Sequence, residues 1–434
     1  MKQWINVIGG GLAGSEAAYY LAAHGQPVRL WEMRPHQMTP VHKSGELAEL
    51  VCSNSFKSEL PDTAQGLLKQ EMKLLGSLLL RVAEDCRVPA GAALAVDRER
   101  FARAVSAELA ARTEISLVRE EFTAIPGDEI CIVATGPLTS DALAEHIACL
   151  HGEDNLSFFD AVAPTVAADS LDMDVIYRAA RYDKGSDDYL NCPMDKEQYE
   201  AFHAALVAAD EIEGHSVDKK LFFQGCMPVE FIARSGLDSL RYGPLRPVGL
   251  IDPRSGQRPW AVLQLRQENR EGSLWGMVGF QTRIRWKEQQ RIFRMIPGLE
   301  RAEFVRYGVM HRNTFINAPR VLHGTLQSRL YPNLFFAGQL CGVEGYMESA
   351  ASGILAAVNA LRHRRGQELV TLPETSMLGA LLRYISTENR HFQPMNANFG
   401  LLAGEGTKTK NKKERYRVYA ESALQAMNSF VGSI

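Results

Sequence analysis

No pair of cysteines in this chain has the spacing of a metal or redox motif. The seven of them, Cys52, Cys86, Cys131, Cys149, Cys192, Cys226 and Cys341, are widely scattered and form no C-x-x-C. That speaks against a zinc site and a disulfide framework, fits a reducing cytoplasm, and leaves each thiol to be judged singly. Long apolar runs are missing too, so no segment reads as a membrane span. The N-terminus lacks the basic stretch, apolar core and cleavage site of a secretion signal. No repeats or low-complexity tracts occur. Neither sign of charge dominates: 48 Lys and Arg stand against 51 Asp and Glu, for a net −3. A polyanionic partner therefore needs a locally basic surface rather than global attraction. What remains is an ordinary soluble composition, 46% apolar and 23% charged over 434 residues, enough for two or three domains.

The strongest signal lies at the start. Trp4 to Ile8 reads as a buried strand, Gly9-Gly10-Gly11-Leu12-Ala13-Gly14 follows at once, and Ser15 to His24 is helical. Pro27 to Trp31 then reads as a second strand with Glu32 at its end. In a G-x-G-x-x-G of this kind Gly9 makes the tight turn, Gly11 lets a pyrophosphate approach the backbone, and Gly14 lets helix pack on strand. The helix start offers N–H groups and its dipole to the phosphates. Glu32 is placed to accept a hydrogen bond from an adenosine ribose.

Further along, Glu46 to Val51 reads as a short helix, Gln65 to Cys86 as a long one, and Asp97 to Thr113 as another. The apolar run Ile130 to Thr135 closes on Gly136-Pro137, which suits either a backbone passing close to a cofactor or an ordinary strand exit. From about Ala161 the character changes to short strands, turns and many arginines, with a short strand expected at Leu221 to Phe223. The α/β grammar returns at Leu334 to Gly338. There Gly342 to Tyr346 leads into a helix, Met347 to Leu361, rich in small residues. A second strand–glycine–helix element so late, paired with the first, favours FAD over NAD as the tightly held cofactor. The expected fold is α/β: a Rossmann-like FAD-binding domain of the glutathione-reductase type, residues 1–160 and 306–434, with a smaller α+β insertion over 161–305.

Two thiols stand out. Cys226 precedes Met227-Pro228; if Val229 to Ala233 is helical, it sits at a helix start, where a thiol becomes nucleophilic. Cys52 lies in a polar loop with Ser53, Asn54, Ser55 and Lys57. Cys131 and Cys149 sit in apolar runs and read as inert filler. Basic residues crowd two stretches: Arg283, Arg285, Lys287, Arg291, Arg294 and Arg301, then Lys408 to Arg417 with Tyr416 and Tyr419 among them. They read as solvated faces or as a footprint for a phosphate backbone. Arg362-His363-Arg364-Arg365 suits a helix C-terminus.

Together, Gly9 to Gly14 with Glu32-Met33-Arg34-Pro35, Cys52 to Lys57, Gln224 to Pro228, Tyr307 to Thr314, Ala337 to Gln339, Gly345-Tyr346 and Glu348 to Gly353 form a specific set. End to end, the chain resembles the bacterial folate- and FAD-dependent tRNA (uracil-5-)-methyltransferases. The resemblance implies methylation of C5 of uridine 54 in the tRNA T loop. Methylenetetrahydrofolate would give the carbon, NAD(P)H the electrons through FAD, and no metal or membrane would take part. It further implies Cys226 as the nucleophile at uracil C6 and Cys52 as a second functional thiol; His311 is a candidate for stacking on the pterin, with a scaffold histidine as the other reading. Gly9, Gly10, Gly11, Leu12, Ala13, Gly14, Glu32, Gly136, Gly338, Gly345 and Tyr346 are the candidate cofactor residues. Two other readings stay open: a flavin oxidoreductase of a small molecule, and an FAD-containing tRNA-binding protein related to the larger wobble-uridine flavoprotein.

Overall fold

A parallel sheet needs apolar strands covered on both faces, and the uninterrupted apolar runs of this sequence supply them. The computed structural model describes residues 4–152, 156–161, 163–183, 187–211, 227–389, 392–402 and 411–433, with backbone pairing alone at 156–161 and 310–313. Its main sheet has five parallel strands in the spatial order Leu334–Phe336, Cys131–Val133, Ile5–Ile8, Val28–Trp31, Ile115–Val118. The three strands Ile5–Ile8, Cys131–Val133 and Leu334–Phe336 are wholly buried. Glycines let the covering helices come close. A Cβ on Gly14 would overlap the Gly9 carbonyl, and one on Gly353 would overlap the Ala13 carbonyl. The helices Leu12–Ala23 and Tyr346–Arg364 therefore cross in direct backbone contact, close to the first helix's start.

Three local expectations change. Glu46 to Val51 is not helical: Ala48 takes φ +51° and its amide is held by the Gly10 carbonyl at 2.9 Å. Gln65 to Cys86 is two helices, Ala64–Leu74 and Leu78–Asp85. They part at Gly76 (φ +76°), after which Ser77 caps the second through the Leu80 amide at 3.2 Å. Asp97 lies outside its helix, Arg98–Ala110, as the cap that accepts from the Arg100 amide.

A second unit is built on an antiparallel sheet of six strands, ordered Tyr177–Arg178, Tyr189–Met194, Ala261–Gln267, Leu274–Met277, Thr165–Ala167, Phe304–Arg306. It has its own core, in which Tyr199, Phe202, Trp275, Phe280 and Phe293 are buried. An antiparallel ribbon, Leu156–Ala161 against Met310–Phe315, carries the chain out of the parallel-sheet unit and back. The strand expected at Leu221 to Phe223 lies outside the described residues. Among the described residues no helix is long and apolar enough to cross a membrane.

Candidate active site

A cleft of about 1000 Å³, open to solvent, lies at the carboxyl ends of the strands Ile5–Ile8, Cys131–Val133 and Leu334–Phe336. In open α/β sheets this is where ligands bind, at the point where strand order reverses. Gly9, Gly11, Leu12, Ala13, Glu32, Gly136, Gly338 and Tyr346 line it; Gly10, Gly14 and Gly345 do not. Gly9 holds φ +99°, and a Cβ on Gly11 would meet nothing within 4 Å. The helix that starts at Leu12 has neither a side-chain cap nor an acid in its first turn. Among the described residues the amides of Gly11, Leu12 and Ala13 find no acceptor. Orphan donors around an open glycine make a cradle for a diphosphate. The helix Tyr346–Arg364 starts on the same cleft, after Gly345 at φ +116° and again without a side-chain cap. Two helix starts on one cleft fit FAD, whose diphosphate and ring-bearing half both need anchoring.

Glu32 is 6% exposed and already holds four donors. Its Oε2 accepts from the Gly10 amide (3.0 Å) and Arg34 Nη2 (3.1 Å); its Oε1 accepts from the Arg34 amide (3.0 Å) and Nε (2.9 Å). Burial pushes its carboxyl pKa up, but the Arg34 guanidinium and the two amides outweigh that and hold it below the ordinary value. Glu32 thus braces the glycine turn as well as lining the cleft.

Cys52 is half-buried and borders a second cleft of about 530 Å³, together with Arg98, Arg266, Glu268 and Gln281. This cleft opens between the parallel-sheet unit and the antiparallel sheet. Tyr346 links the two clefts: it lines the first, and its hydroxyl accepts from the amides of Cys52 (2.7 Å) and Ser53 (3.1 Å). Burial raises the phenol pKa, so the hydroxyl keeps its proton. Asn54 joins the units, donating to the carbonyls of Val96 (3.0 Å) and Gln267 (2.9 Å) and accepting from Arg266 Nε (2.8 Å). Arg98 pairs with Glu268, and Arg266 lies 3.7 Å from the same carboxylate. Burial lowers the pKa values of Lys43 and Arg306, and each is pushed further down by neighbouring guanidinium charge. In the lining of the second cleft the single carboxylate of Glu268 faces the two guanidinium groups of Arg98 and Arg266, a wall suited to carbonyl oxygens or phosphate.

Cys226 lies outside the described residues. The described chain resumes at Met227, and the Val229 amide donates to the carbonyl of Gln281, a residue of the second cleft. Pro228 is the cap of the helix Val229–Arg234 rather than its first residue. The side chain of His311 is also outside the described residues; its backbone pairs with Asp160 in the ribbon. Cys131 is buried, and its thiol is pushed up to about 12; burial raises Cys192 and Cys341 as well. Cys149 is not core filler. It is exposed, because the buried stripe of its helix runs through Leu143 and Ile147 and Cys149 falls off that face.

Of the basic tracts, Arg283 pairs with Glu211 and Arg294 donates to the Ala302 carbonyl, which leaves Arg285, Lys287, Arg291 and Arg301 exposed. Lys408 and Lys410 lie outside the described residues. Tyr416 stacks on Phe399 (4.3 Å between centroids, 29°), so that ring packs within the fold while Lys413 and Arg417 face outward. The Arg98, Arg266, Glu268 and Arg306 group had no sequence signal, since no spacing connects residues so far apart in the chain.

Glycine turn, parallel sheet, returning strand and paired helix starts define an α/β protein with a Rossmann-like FAD-binding domain. The same fold is seen in GidA of Aquifex aeolicus, with a TM-score of 0.74 at 15% identity over 100% of this chain and 73% of that one. The family model of glucose inhibited division protein A matches residues 4–368. A relative from Syntrophomonas wolfei, named methylenetetrahydrofolate--tRNA-(uracil-5-)-methyltransferase TrmFO, is 60% identical over 100% of this chain and 99% of its own. Relatives of that name from Dictyoglomus thermophilum and Pelotomaculum thermopropionicum are 56% and 54% identical over 98% of both chains in each pair. The chain belongs to the folate- and FAD-dependent tRNA (uracil-5-)-methyltransferase family.

Proposed function

We propose that this protein methylates C5 of a uridine in tRNA, uridine 54 of the T loop, in the cytoplasm. Methylenetetrahydrofolate is the carbon donor, and NAD(P)H is the reductant of a bound FAD. The observation that carries this reading is identity of more than half the residues, over the full chain, to relatives named for the reaction. Bound FAD would supply the hydride equivalent that turns the transferred methylene into methyl. The amides of Gly11 to Ala13 and the start of the Tyr346–Arg364 helix would hold it.

The residues of the chain do the rest. Uracil C5 is a poor nucleophile until a thiolate adds to C6 and places an enolate at O4. Cys226 is assigned that addition; when the C5 proton has left and the carbon has been reduced, the C6–S bond breaks and the thiol returns. Cys52, fixed by Tyr346 at the cationic second cleft, is assigned to the proton at C5. Arg98 and Arg266 suit the carbonyl oxygens of a flipped base in that cleft. His311 is assigned to the pterin.

The test is incubation of the flavin-bound protein with an unmodified tRNA transcript, methylenetetrahydrofolate and NADPH, followed by nucleoside mass spectrometry. The expected product is 5-methyluridine at position 54, lost in Cys226→Ala. Absence of product with folate, or methylation supported by S-adenosylmethionine instead, overturns the reading.

A further inference from the structure

Trp286 opens the helix Trp286–Phe293 and is 57% exposed. One face of its indole lies on Tyr307, with centroids 5.3 Å apart and planes at 15°. Tyr307 in turn lies on Phe304, at 5.6 Å and 14°. Phe304 leans on buried Phe293 at 6.3 Å. A column of near-parallel rings thus runs from the core of the antiparallel unit outward and ends on Trp286. Its middle is pinned: the Tyr307 hydroxyl is bonded to Gln290, and Gln289 clamps both the amide (2.7 Å) and the carbonyl (2.9 Å) of Gly308. The outer ring is therefore presented at little conformational cost.

The charge around it is positive. Arg285 and Lys287 flank Trp286 in sequence and are exposed; Arg285 Nε donates to the Glu211 carbonyl at 3.2 Å, and no carboxylate pairs with either cation among the described residues. The acid of that helix turn, Glu288, is taken by Arg291 at 2.6 Å. A flat exposed ring with a cation on each side fits a flat anionic unit, and a nucleotide is that chemistry: the base stacks and the phosphates meet the cations. A contact with a second copy of the chain fits worse, because a two-fold axis at Trp286 would bring Arg285 and Lys287 onto their own copies. Position also favours RNA. Gln281 lines the cleft beside Cys52, and the residues from there to Trp286 can span at most about 18 Å, the reach of a few loop nucleotides.

We propose that Trp286 is the stacking platform for an unpaired base of the tRNA loop that flanks the target uridine, with Arg285 and Lys287 on the adjoining phosphates. The proposal rests on the tRNA reading above and adds where the loop is gripped. It is tested with the full-length flavin-bound protein and an in vitro transcribed tRNA. Trp286→Ala is expected to raise the tRNA Kd on the order of tenfold. Trp286→Phe, which keeps a stackable ring, is expected to change it far less. The quenching of tryptophan emission on adding tRNA should be smaller in Trp286→Phe than in the parent. Lys287→Gln should flatten the slope of log Kd against log salt by about 0.7 to 0.9, which Trp286→Ala should leave unchanged. Flavin absorbance and melting temperature report that each variant is folded. Parent-like affinity in Trp286→Ala, or a change in oligomeric state with affinity intact, overturns the platform while methylation by the parent stands. A parent that neither binds nor methylates tRNA removes the functional reading, and the platform with it.

Discussion

The hydroxyl of Tyr346 holds the amide of Cys52 at 2.7 Å, across 294 positions of sequence. The same oxygen takes the Ser53 amide, and the ring of Tyr346 stands edge-on to Phe56 at 6.1 Å. The residue that starts the second helix on the cleft therefore also sets where the loop thiol sits.

Replacing Tyr346 by Phe removes the acceptor and keeps the ring. Leaving two partly buried amides without a partner costs about 1–3 kcal/mol. The loop is expected to loosen while the fold and the flavin are retained. Methyl transfer in a single turnover should slow on the order of tenfold, and Cys52 should alkylate faster. An unchanged transfer rate would count against a positioning role for Tyr346.

Gly11 and Gly353 separate binding from folding. A Cβ on Gly11 points into open space, whereas one on Gly353 overlaps the Ala13 carbonyl. Gly11→Ala should melt like the parent and come through purification with less flavin. Gly353→Ala should lose about 1–3 kcal/mol of stability from overpacking at the helix crossing. The ratio of visible to ultraviolet absorbance and a urea titration measure the two outcomes. Reversed behaviour would misplace the diphosphate cradle.

Glu32→Ala strips Arg34, 2% exposed, of its main carboxylate and leaves Glu49 at 3.1 Å as its remaining acid. Removing one partner of a buried pair costs about 3–5 kcal/mol, and with Glu49 in place the lower end is expected. A loss below about 1 kcal/mol in urea would show that the pair does not brace the turn.

Glu71 is buried and accepts from the amides of Met377 (2.6 Å) and Leu378 (2.9 Å) at the start of the helix Met377–Ser386. Burial outweighs those amides and raises its carboxyl from 4.5 to about 7. A raised pKa in the folded state binds the proton more tightly there. Its stabilising contribution is thus complete below pH 4.5 and is lost as pH rises through about 7. The shift is worth on the order of 3 kcal/mol. Denaturation of parent and Glu71→Gln between pH 4 and 8 (roughly the window this linkage spans) should show the parent losing more stability with rising pH. Parallel curves would contradict it.

The glycine turn, the apolar strands and the returning element at Leu334 were legible because each is written in consecutive residues. Gly9 to Gly14 needs no distant partner to be read, and a buried parallel strand announces itself by lacking alternation. What escaped depends on contacts far apart in the chain. Ala48 is held out of a helix by the Gly10 carbonyl; Cys149, by contrast, is exposed for a local reason, the helical spacing that puts Leu143 and Ile147 on the buried face and leaves the thiol off it. The bond from Tyr346 to Cys52 and the Arg98–Glu268 pair couple segments that no periodicity connects. Trp286 sat in a stretch read only for charge, and its value lies in the two rings stacked behind it.

The ribbon of residues 156–161 and 310–315 pairs Ala161 with Met310, so the outgoing and incoming chains cross one boundary side by side. Neighbouring strands are about 4.8 Å apart, a gap that a tight turn can close. The antiparallel unit is therefore joined covalently to the parallel-sheet unit at one place, while Asn54 and the Arg98–Glu268 pair tie the two across the second cleft. With both chain crossings side by side, the whole antiparallel unit interrupts the parallel-sheet unit without altering the order of its five strands.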